Sequence, residues 1–523
     1  MPSHQRRLGP ELRRLPPEVR ELWRDRRAPT GSALVATIAA AVAVTVLVVA
    51  GFVVILGPDA TTDDPLVVAT TEGDLRGVEA DGLRVWRGVR YADSPTGQRR
   101  WAAPAPAPTW DGVRDADTFG ADCLQPEPYT YGQRRLQVRA GSAEDCLFLN
   151  VVRPVDGGDR LPVMVWLHGG GFIFGNASST ADSSGPLAQR GMIVVTINYR
   201  LGQLGYFAHP ALRGTVANFG LLDQTAALTW VRDNIAAFGG DPEQVTLAGG
   251  SAGAMSVNAL MTAPGADGLF QRAISQSAPG DWRSQTFTQA SNRARRAFPE
   301  MSAADLRALK PRDLLSSTFN VLTGDAPIID SVLPERAVDA FATGREVAIP
   351  YLVGTTAGEF SDAEFQLAGG DPERVRQRLG GARHTALVAA YGPASYRRHV
   401  LDDILFTAPA VALASLHAAR APTFRYRFAV AGADTGHGSE IGYVFDTVAD
   451  PDKAPVAHAV ADYWASFVRS GNPGVPELAR WPQAGRGAVM VIGPDGPRSV
   501  PRDTWAERVD RLASLLPLDV PLI

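Results

Sequence analysis

The sequence contains little lysine, cysteine or histidine. Lys310 and Lys453 are its only lysines, and its 523 residues include 8 histidines and 2 cysteines. These few histidines and cysteines show no metal-ligand spacing, so we expect neither a metal nor another cofactor. The formal net charge is −4 at pH 7. A chain without a basic excess offers no electrostatic basis for binding nucleic acid.

One long stretch lacks charge altogether. Residues 33–56 carry no charged side chain and consist largely of Ala, Val, Ile and Leu. A helix of this length would reach about 36 Å, enough to cross the hydrocarbon core of a bilayer. A secretory signal has a shorter apolar region and a small-residue cleavage site, and a buried core helix is the other alternative. The sequence favours an uncleaved transmembrane helix.

The charges on either side of this stretch predict its orientation. Residues 1–32 contain eight arginines and four acidic side chains, whereas three aspartates, the first at position 59, follow the apolar run. Because basic flanking segments stay in the cytoplasm, we expect residues 1–32 to be cytoplasmic. Residues 57–64 are then a linker, and residues 65–523 form the extracytoplasmic domain of a single-pass protein of the cell membrane.

Strand-like and helix-like segments alternate from residue 162 onward. This alternation is typical of the α/β class, in which helices cover both faces of a mostly parallel sheet. In such sheets, ligands bind just beyond the carboxyl ends of the strands. Functional residues are therefore expected in the loops that follow strands.

A tight turn that contains a serine lies between a predicted strand and a predicted helix. Residues 244–248 are strand-like, residues 249–253 read GGSAG, and residues 254–260 are able to form a helix. A strand, a G-x-S-x-G turn and a helix in this order expose the serine hydroxyl at the N-terminus of the helix. Backbone N–H groups there favour developing negative charge. Ser251 is therefore a candidate nucleophile.

A run of glycines follows another strand-like segment. Residues 162–167 lead into HGGGF at 168–172. Consecutive glycines leave backbone N–H groups free of neighbouring side chains, which is how an oxyanion hole is built. A flexible glycine turn is the alternative. The presence of the G-x-S-x-G turn in the same chain favours the oxyanion hole.

A serine nucleophile needs a base, and the base needs an orienting carboxylate. In hydrolases with this turn, both follow the serine along the chain. His437 lies between glycines after a strand-like segment at 423–430, whereas His399, His417 and His458 lie in helix-like segments. His437 is the favoured base.

The acid is less well defined by the local pattern. Glu359 follows a predicted strand that ends at Gly354, and Asp362 and Glu364 are rivals on spacing alone. A solvated loop carboxylate is the usual state of an acidic residue. The local pattern does not separate the three.

From about residue 65 to its C-terminus, the chain resembles the type-B carboxylesterases, the family that includes cholinesterases and bacterial p-nitrobenzyl esterases. The block GVRYA is the loosest match, because Arg90 replaces a proline. The matching blocks lie at 88–92, 144–150, 168–172, 218–224, 230–235 and 238–242. The resemblance implies an α/β-hydrolase fold, and it implies hydrolysis of carboxylic esters through an acyl-enzyme.

The resemblance also implies the roles of individual residues. Glu359 falls where the family has its triad acid, and His437 falls where the family has its base. With Ser251 they form the implied triad. The implied oxyanion donors are the backbone N–H groups of Gly170, Gly171 and Ala252.

Three further residues are implied in supporting roles. Ser277 matches a family serine that is thought to support the triad residues from the next layer of side chains. The alternative is a buried serine that is hydrogen-bonded to the backbone. Cys123 and Cys146 match a pair that the family commonly joins in a disulfide, with two buried thiols as the alternative. A disulfide persists outside the cytoplasm, in agreement with the predicted topology.

Two departures from the family concern the substrate. The family usually has Glu before the nucleophile, where this chain has Gly250, and residues 123–146 lack the tryptophan that forms the cation-binding platform of cholinesterases. Less negative charge and no such platform argue against choline esters. The expected partner is a small neutral ester.

Two other functions are compatible with the pattern. Some members of the family are non-catalytic adhesion or binding proteins, but these usually lose the triad, and this chain has all three residues. An amidase or peptidase using the same triad is the second alternative, because the leaving group is selected by pocket shape. The oligomeric state and the natural substrate are not predicted.

Overall fold

The structure, a computed structural model, describes residues 64–127, 136–281, 284–315, 325–361, 366, 373, 381–431, 435–485 and 487–515. The fold is that of the compact unit Leu66–Ile523. The predicted cytoplasmic segment and transmembrane helix lie outside the described residues, as do Asp362 and Glu364, the two rival acids.

The strands are short at the N-terminal end of the unit and longer in its centre. They are β1 (Val67–Ala69), β2 (Asp74–Arg76), β3 (Val78–Ala80), β4 (Leu83–Arg90), β5 (Val113–Asp115), β6 (Asp122–Cys123), β7 (Ser142–Ala143), β8 (Phe148–Pro154), β9 (Leu161–Leu167), β10 (Ile193–Ile197), β11 (Gly240–Gly250), β12 (Arg272–Gln276), β13 (Tyr351–Thr356), β14 (Thr423–Phe428), β15 (Val489–Gly493) and β16 (Gly496–Val500).

Most helices lie between strands of the central sheet. They are α1 (Ser178–Ser183), α2 (Gly185–Ala188), α3 (Gly202–Gly205), α4 (Phe219–Asn234), α5 (Ala252–Leu260), α6 (Phe287–Ala297), α7 (Ala303–Ala308), α8 (Ala337–Thr343), α9 (Ala382–Tyr391), α10 (Pro393–Asp402), α11 (Ala408–His417), α12 (Ile441–Val444), α13 (Ala454–Ser470) and α14 (Thr504–Leu515). A π-helical segment, Asp403–Thr407, joins α10 to α11.

The central sheet has 11 strands, in the order β16-β15-β14-β13-β12-β11-β9-β10-β8-β4-β3. The strands from β9 to β15 pair in parallel. The strands at both edges, β3, β4 and β8 on one side and β16 on the other, pair antiparallel to their neighbours. The prediction of a mostly parallel α/β sheet is confirmed.

Alternate side chains of β9 enter two separate cores. Val163 and Val165 belong to a buried cluster that includes side chains of α4 and α5. Met164 and Trp166 belong to a second cluster, which includes side chains of α13. Because successive side chains of a strand point to opposite faces, helices cover both faces of the sheet, as the sequence predicts.

The strand before Glu359 is longer than the sequence suggests. The predicted strand ends at Gly354, whereas β13 continues to Thr356 because Thr355 and Thr356 still pair with β14. The loop between the end of β13 and Glu359 is therefore short, and it holds the Glu359 backbone close to the edge of the sheet.

The helical stretch Pro393–His417 comprises α10, the π-helical segment and α11. Among the described residues, it alone is long and apolar enough to cross a membrane, but 72% of its most apolar window is buried inside the protein. Such burial is typical of a core helix. The predicted membrane-spanning residues 33–56 are not among those described.

Cys123 and Cys146 form a disulfide. Next to it, Arg90 forms hydrogen bonds of 2.7 and 2.9 Å with the two carboxylate oxygens of Asp145. Its guanidinium lies 4.3 Å from the centre of the Phe148 ring. The arginine that replaces the family's proline is thus held by an ion pair and by an aromatic ring.

Candidate active site

Ser251, Glu359 and His437 lie just beyond the ends of three strands. Ser251 follows β11, Glu359 follows β13 and His437 follows β14. In the sheet, β11, β12, β13 and β14 are consecutive and parallel. Their carboxyl ends meet at one edge, which is where open α/β sheets bind ligands. The fold therefore brings the three residues to the same edge.

The Ser251 backbone is strained, with φ 56° and ψ −120°. L-residues rarely adopt a positive φ, and such strain persists only where the surroundings enforce it. Here the Ser251 N–H donates to the Gln276 carbonyl at 2.8 Å, and the Ser251 carbonyl accepts from the Met255 N–H at 2.9 Å. These bonds hold the sharp turn between β11 and α5.

Close packing around the turn requires glycine on both sides of Ser251. A Cβ atom at Gly249 would lie 2.6 Å from the carbonyl carbon of Gly253 and 2.9 Å from the carbonyl oxygen of Leu167. A Cβ atom at Gly253 would overlap the Leu167 carbonyl oxygen. β11 and α5 therefore approach each other closely at this turn, and β9 lies against both.

The glycine run after β9 approaches the serine directly. A Cβ atom at Gly169 would lie 3.1 Å from the Ser251 Cβ. Gly170 and Gly171 have φ values of 104° and 61°. Among the described residues, the N–H groups of Gly170, Gly171 and Ala252 donate to no other protein group. Three unpaired N–H groups thus lie beside the serine turn.

The loop that carries these N–H groups is held by hydrogen bonds to neighbouring segments. The Phe172 carbonyl accepts from the Gly202 N–H at 2.7 Å. The Gln125 side chain accepts from the Gly175 N–H at 3.0 Å and donates to the Gly175 carbonyl at 2.9 Å. Hydrogen bonds therefore hold the segment that directly follows the glycine run.

His168, the first residue of the HGGGF run, is buried behind this loop. Its ring stacks on Tyr199 with centroids 4.4 Å apart, and the Tyr199 hydroxyl donates to the His168 carbonyl at 2.6 Å. Burial lowers the pKa of His168 to about 4. His168 is thus an uncharged packing residue.

His437 is bound to Glu359 twice. Its Nδ1 lies 2.5 Å from Glu359 Oε2, and its backbone N–H donates to the Glu359 carbonyl at 2.9 Å. The other carboxylate oxygen, Oε1, accepts from the Thr356 N–H at 2.8 Å. The rings of Phe360 and Phe406 lie 4.9 and 5.0 Å from the imidazole. These contacts define the orientation of the imidazole.

The second ring nitrogen of His437 has no hydrogen-bond partner among the residues that the structure describes. Nε2 is buried and makes no hydrogen bond to any described residue, the Ser251 hydroxyl included. Ile441, which follows His437 closely in the chain, lies near the serine turn, since its Cδ1 would be 3.6 Å from a Cβ atom placed at Gly250. Catalytic hydrogen bonds are often long without substrate and shorten when substrate binds.

Two more buried carboxyl groups flank the Glu359–His437 pair. The pKa of Glu440 is raised to about 7, chiefly by burial and also by the negative charge of Glu359. The pKa of Asp402 is raised to about 7, again chiefly by burial. Burial lowers the pKa of His437, but the surrounding carboxyl groups, Glu359 first, outweigh burial and raise this pKa above its ordinary value.

Three of the other four downstream histidines pair with other side chains. His399 lies in α10, His417 in α11 and His458 in α13, so their predicted helical positions are confirmed. His384 Nδ1 lies 3.0 Å from the Tyr396 hydroxyl. His417 contacts Glu346 and His458 contacts Asp446.

Ser277 is buried at the end of β12, with φ 52°. Its N–H donates to the Gly354 carbonyl at 2.8 Å, but its hydroxyl has no hydrogen-bond partner among the described residues. Its supporting role stays a prediction.

The same region contains Glu440 and Asp402, for which the sequence predicted no role. Glu440 is part of the HGSE pattern that begins at His437, whereas Asp402 carries no sequence signal.

Within the described residues, no group of three or more His, Cys, Asp and Glu side chains is placed to hold a metal ion.

Comparison with known proteins agrees with this architecture. The sequence profile of the carboxylesterase family matches residues 64–385 and 394–504, more than half of the chain. The chain belongs to the carboxylesterase family. Para-nitrobenzyl esterase from Bacillus subtilis (strain 168) is 34% identical to it over 490 residues, covering 85% of this chain and 98% of that protein. Fumonisin B1 esterase from Sphingopyxis macrogoltabida is 36% identical over 487 residues, covering 83% and 88%.

Solved structures are similar as well. A PNB esterase superposes with a TM-score of 0.72 at 32% identity, covering 85% of this chain and 99% of the other. A carboxylesterase from Geobacillus stearothermophilus gives 0.73 at 29% identity with the same coverage. This carboxylesterase is therefore an ester hydrolase with the α/β-hydrolase fold, and the predicted enzyme class is confirmed.

Proposed function

We propose that this carboxylesterase hydrolyses neutral carboxylic esters with Ser251 as nucleophile, His437 as base and Glu359 as the residue that orients the base. The observation that carries the proposal is the 2.5 Å contact between Glu359 Oε2 and His437 Nδ1. A carboxylate only accepts, so Nδ1 carries the proton and Nε2 is the free base.

The reaction then follows from these positions. His437 Nε2 takes the proton of the Ser251 hydroxyl while its oxygen attacks the ester carbonyl carbon. The N–H groups of Gly170, Gly171 and Ala252 stabilise the oxyanion, by about 3 kcal/mol per donor in comparable sites. His437 returns the proton to the leaving alcohol, and water activated by the same imidazole releases the acid from the acyl-enzyme.

The surroundings of Gly250 support a neutral substrate. The nearest atoms to a Cβ at Gly250 would belong to the Ile441 and Trp166 side chains, at 3.6 and 3.8 Å, both ordinary contact distances. Packing therefore does not require glycine here. Its presence leaves the serine turn without the carboxylate usual in the family, so a cationic ester gains no attraction at this point.

Covalent labelling with a fluorophosphonate tests the nucleophile. The parent enzyme should be labelled stoichiometrically and lose activity towards short p-nitrophenyl esters, whereas Ser251→Ala should do neither. His437→Gln should be labelled far more slowly, and His384→Gln, away from the site, should behave as the parent. Labelling of Ser251→Ala at the parent rate would identify a different nucleophile.

Amide hydrolysis by the same triad is the second candidate, since nothing in the triad geometry distinguishes an alcohol leaving group from an amine. A matched ester and anilide pair with the same acyl group decides between them. Ester hydrolysis should be faster by a large factor. Equal kcat/KM values for the two would point to an amidase.

We also propose that residues 33–56 anchor the enzyme, with residues 1–32 in the cytoplasm, residues 57–64 as linker and residues 65–523 as the extracytoplasmic hydrolase domain. The uncharged run and the eight arginines before it support this topology. The full chain should stay in membranes after carbonate extraction, and a chain lacking residues 1–56 should be released. Release of the full chain would contradict the anchor.

A further inference from the structure

Asp402 contacts the backbone that carries the proposed acid. It is the last residue of α10, just before the π-helical segment, and is 5% exposed. Its Oδ2 accepts from the Glu359 N–H at 3.1 Å, and its Oδ1 accepts from the Phe360 N–H at 2.9 Å. The carboxylate therefore holds two consecutive N–H groups of the loop after β13.

With these bonds, the carboxylate, the carbonyl and the N–H of Glu359 are all hydrogen-bonded. The Glu359 carboxylate is held by the Thr356 N–H and by His437, and its carbonyl by the His437 N–H. The Glu359 N–H is held by Asp402. Because the π-helical segment that follows Asp402 is buried throughout, Asp402 ties this loop to the interior of the protein.

The charges around Asp402 are mostly negative. Glu359 and Asp403 both raise the pKa of its carboxyl group, in addition to the larger effect of burial. Asp403 is paired with Arg508 at 2.6 and 2.9 Å and with the Tyr391 hydroxyl at 2.8 Å.

No lysine or arginine in the part of the chain that the structure describes forms an ion pair with Asp402 itself. Asp402 is also one of three carboxyl groups that raise the pKa of His437. Its effect is smaller than those of Glu359 and Glu440.

We propose that Asp402 is a positioning residue for ester hydrolysis. Its two hydrogen bonds fix the Glu359 backbone where the side chain reaches His437, and its charge favours the imidazolium that forms when Ser251 loses its proton. The inference rests on the proposed triad. Asp402 does not touch the substrate, so it acts through Glu359 and His437.

Asp402→Asn is the variant that tests this role. An amide has one acceptor oxygen, and its NH₂ group cannot accept the second N–H, so one bond and the charge are lost. We expect kcat to fall about 10- to 100-fold, with KM within about twofold of the parent value. The acid limb of kcat/KM against pH should move to lower pH, because losing a nearby carboxylate lowers the pKa of His437.

Asp403→Asn is the matched control, since it alters the neighbouring buried carboxylate, whose partners are Arg508 and Tyr391. It should lower thermal stability and leave the acid limb in place. A folded Asp402→Asn enzyme with the parent kcat and the parent acid limb would overturn the inference. So would a variant that loses only stability, with kcat per folded molecule unchanged.

Two further measurements keep the test decisive. If Asp402→Asn does not fold, Asp402→Ser offers a smaller side chain with one acceptor and carries the same expectations. Amide exchange of the parent needs no variant: the Glu359 and Phe360 amides should exchange slowly, and exchange at the rate of an unprotected loop would overturn the inference. Activity retained in His437→Gln would instead show that the proposed triad itself is wrong.

Discussion

The Glu359 carboxylate accepts a 2.5 Å hydrogen bond from Nδ1 of His437, although the two residues lie 78 positions apart in the chain. The His437 N–H also donates to the Glu359 carbonyl at 2.9 Å. One bond orients the ring and the other joins the two loops. The imidazole is therefore preorganised by the fold before any substrate binds, as a catalytic base requires.

Replacing Glu359 by Gln should lower kcat by roughly 10⁴-fold, because an amide no longer selects the tautomer with Nε2 free and no longer stabilises the imidazolium. The rate of p-nitrophenyl acetate hydrolysis per folded molecule measures this. Glu346→Gln is the control, since Glu346 forms a second buried pair with His417 away from the serine turn. Equal losses in both variants would contradict the assigned role of Glu359.

Activity should be lost as the pH falls through the pKa of His437, because only the neutral imidazole accepts the serine proton. Burial lowers this pKa, but Glu359, Glu440 and Asp402 together raise it above its ordinary value. Glu440→Gln removes one of these charges and should move the acid limb of kcat/KM to lower pH. The exposed Glu477→Gln should leave the limb unchanged. A shift of the Glu440→Gln limb to higher pH would be the wrong sign.

Gly249→Ala should destabilise the enzyme and lower its activity. The new Cβ would lie 2.6 Å from Gly253 and 2.9 Å from the Leu167 carbonyl oxygen, closer than real contacts allow, and overpacking of this kind costs about 1–3 kcal/mol. Gly265→Ala is the control, because a Cβ there has no neighbour within 4 Å. Denaturant unfolding of both variants measures the difference. A Gly249→Ala enzyme as stable as Gly265→Ala would show that β11 and α5 are not in contact.

Gly250→Glu should change substrate preference, because a Cβ atom at this buried position lies at ordinary contact distances from Ile441 and Trp166. A carboxylate there should raise kcat/KM for a choline ester relative to its uncharged isostere by roughly fivefold, the effect of about 1 kcal/mol. Gly250→Gln adds the same bulk without charge and should leave the ratio unchanged. If the glutamine variant raises the ratio equally, shape rather than charge controls this preference.

The sequence pointed to the serine turn and the glycine run because both features are local. The turn at Ser251 and the glycine run at 168–172 each depend on backbone geometry that only small residues permit, so their residue types identify them. Glu359 was different, since its rivals Asp362 and Glu364 were separated from it only by resemblance to a family. The structure describes Glu359 in contact with His437, while the two rivals lie outside the described residues.

Other features of the site could not be predicted from the sequence. Asp402 binds the N–H groups of Glu359 and Phe360 from a helix 43 and 42 residues further along. No residue type or spacing in the sequence predicts such a contact, because any buried side chain with an acceptor atom could make it. The longer β13 was missed for the same reason, since pairing with β14 and not local propensity decides where it ends.

Taken alone, the sequence determined the alternation of strands and helices, the serine turn and the glycine run, because each depends on the conformational preferences of neighbouring residues. It favoured His437 as the base, an assignment that rested on family resemblance as well. The tertiary structure alone decided which strands lie side by side, and hence that the loops after β11, β13 and β14 meet. It also decided that Glu440 and Asp402 surround the imidazole. Strand order and burial are set by the packing of the two cores. The buried carboxyl groups raise the pKa of His437 strongly only because the folded protein excludes water from between them.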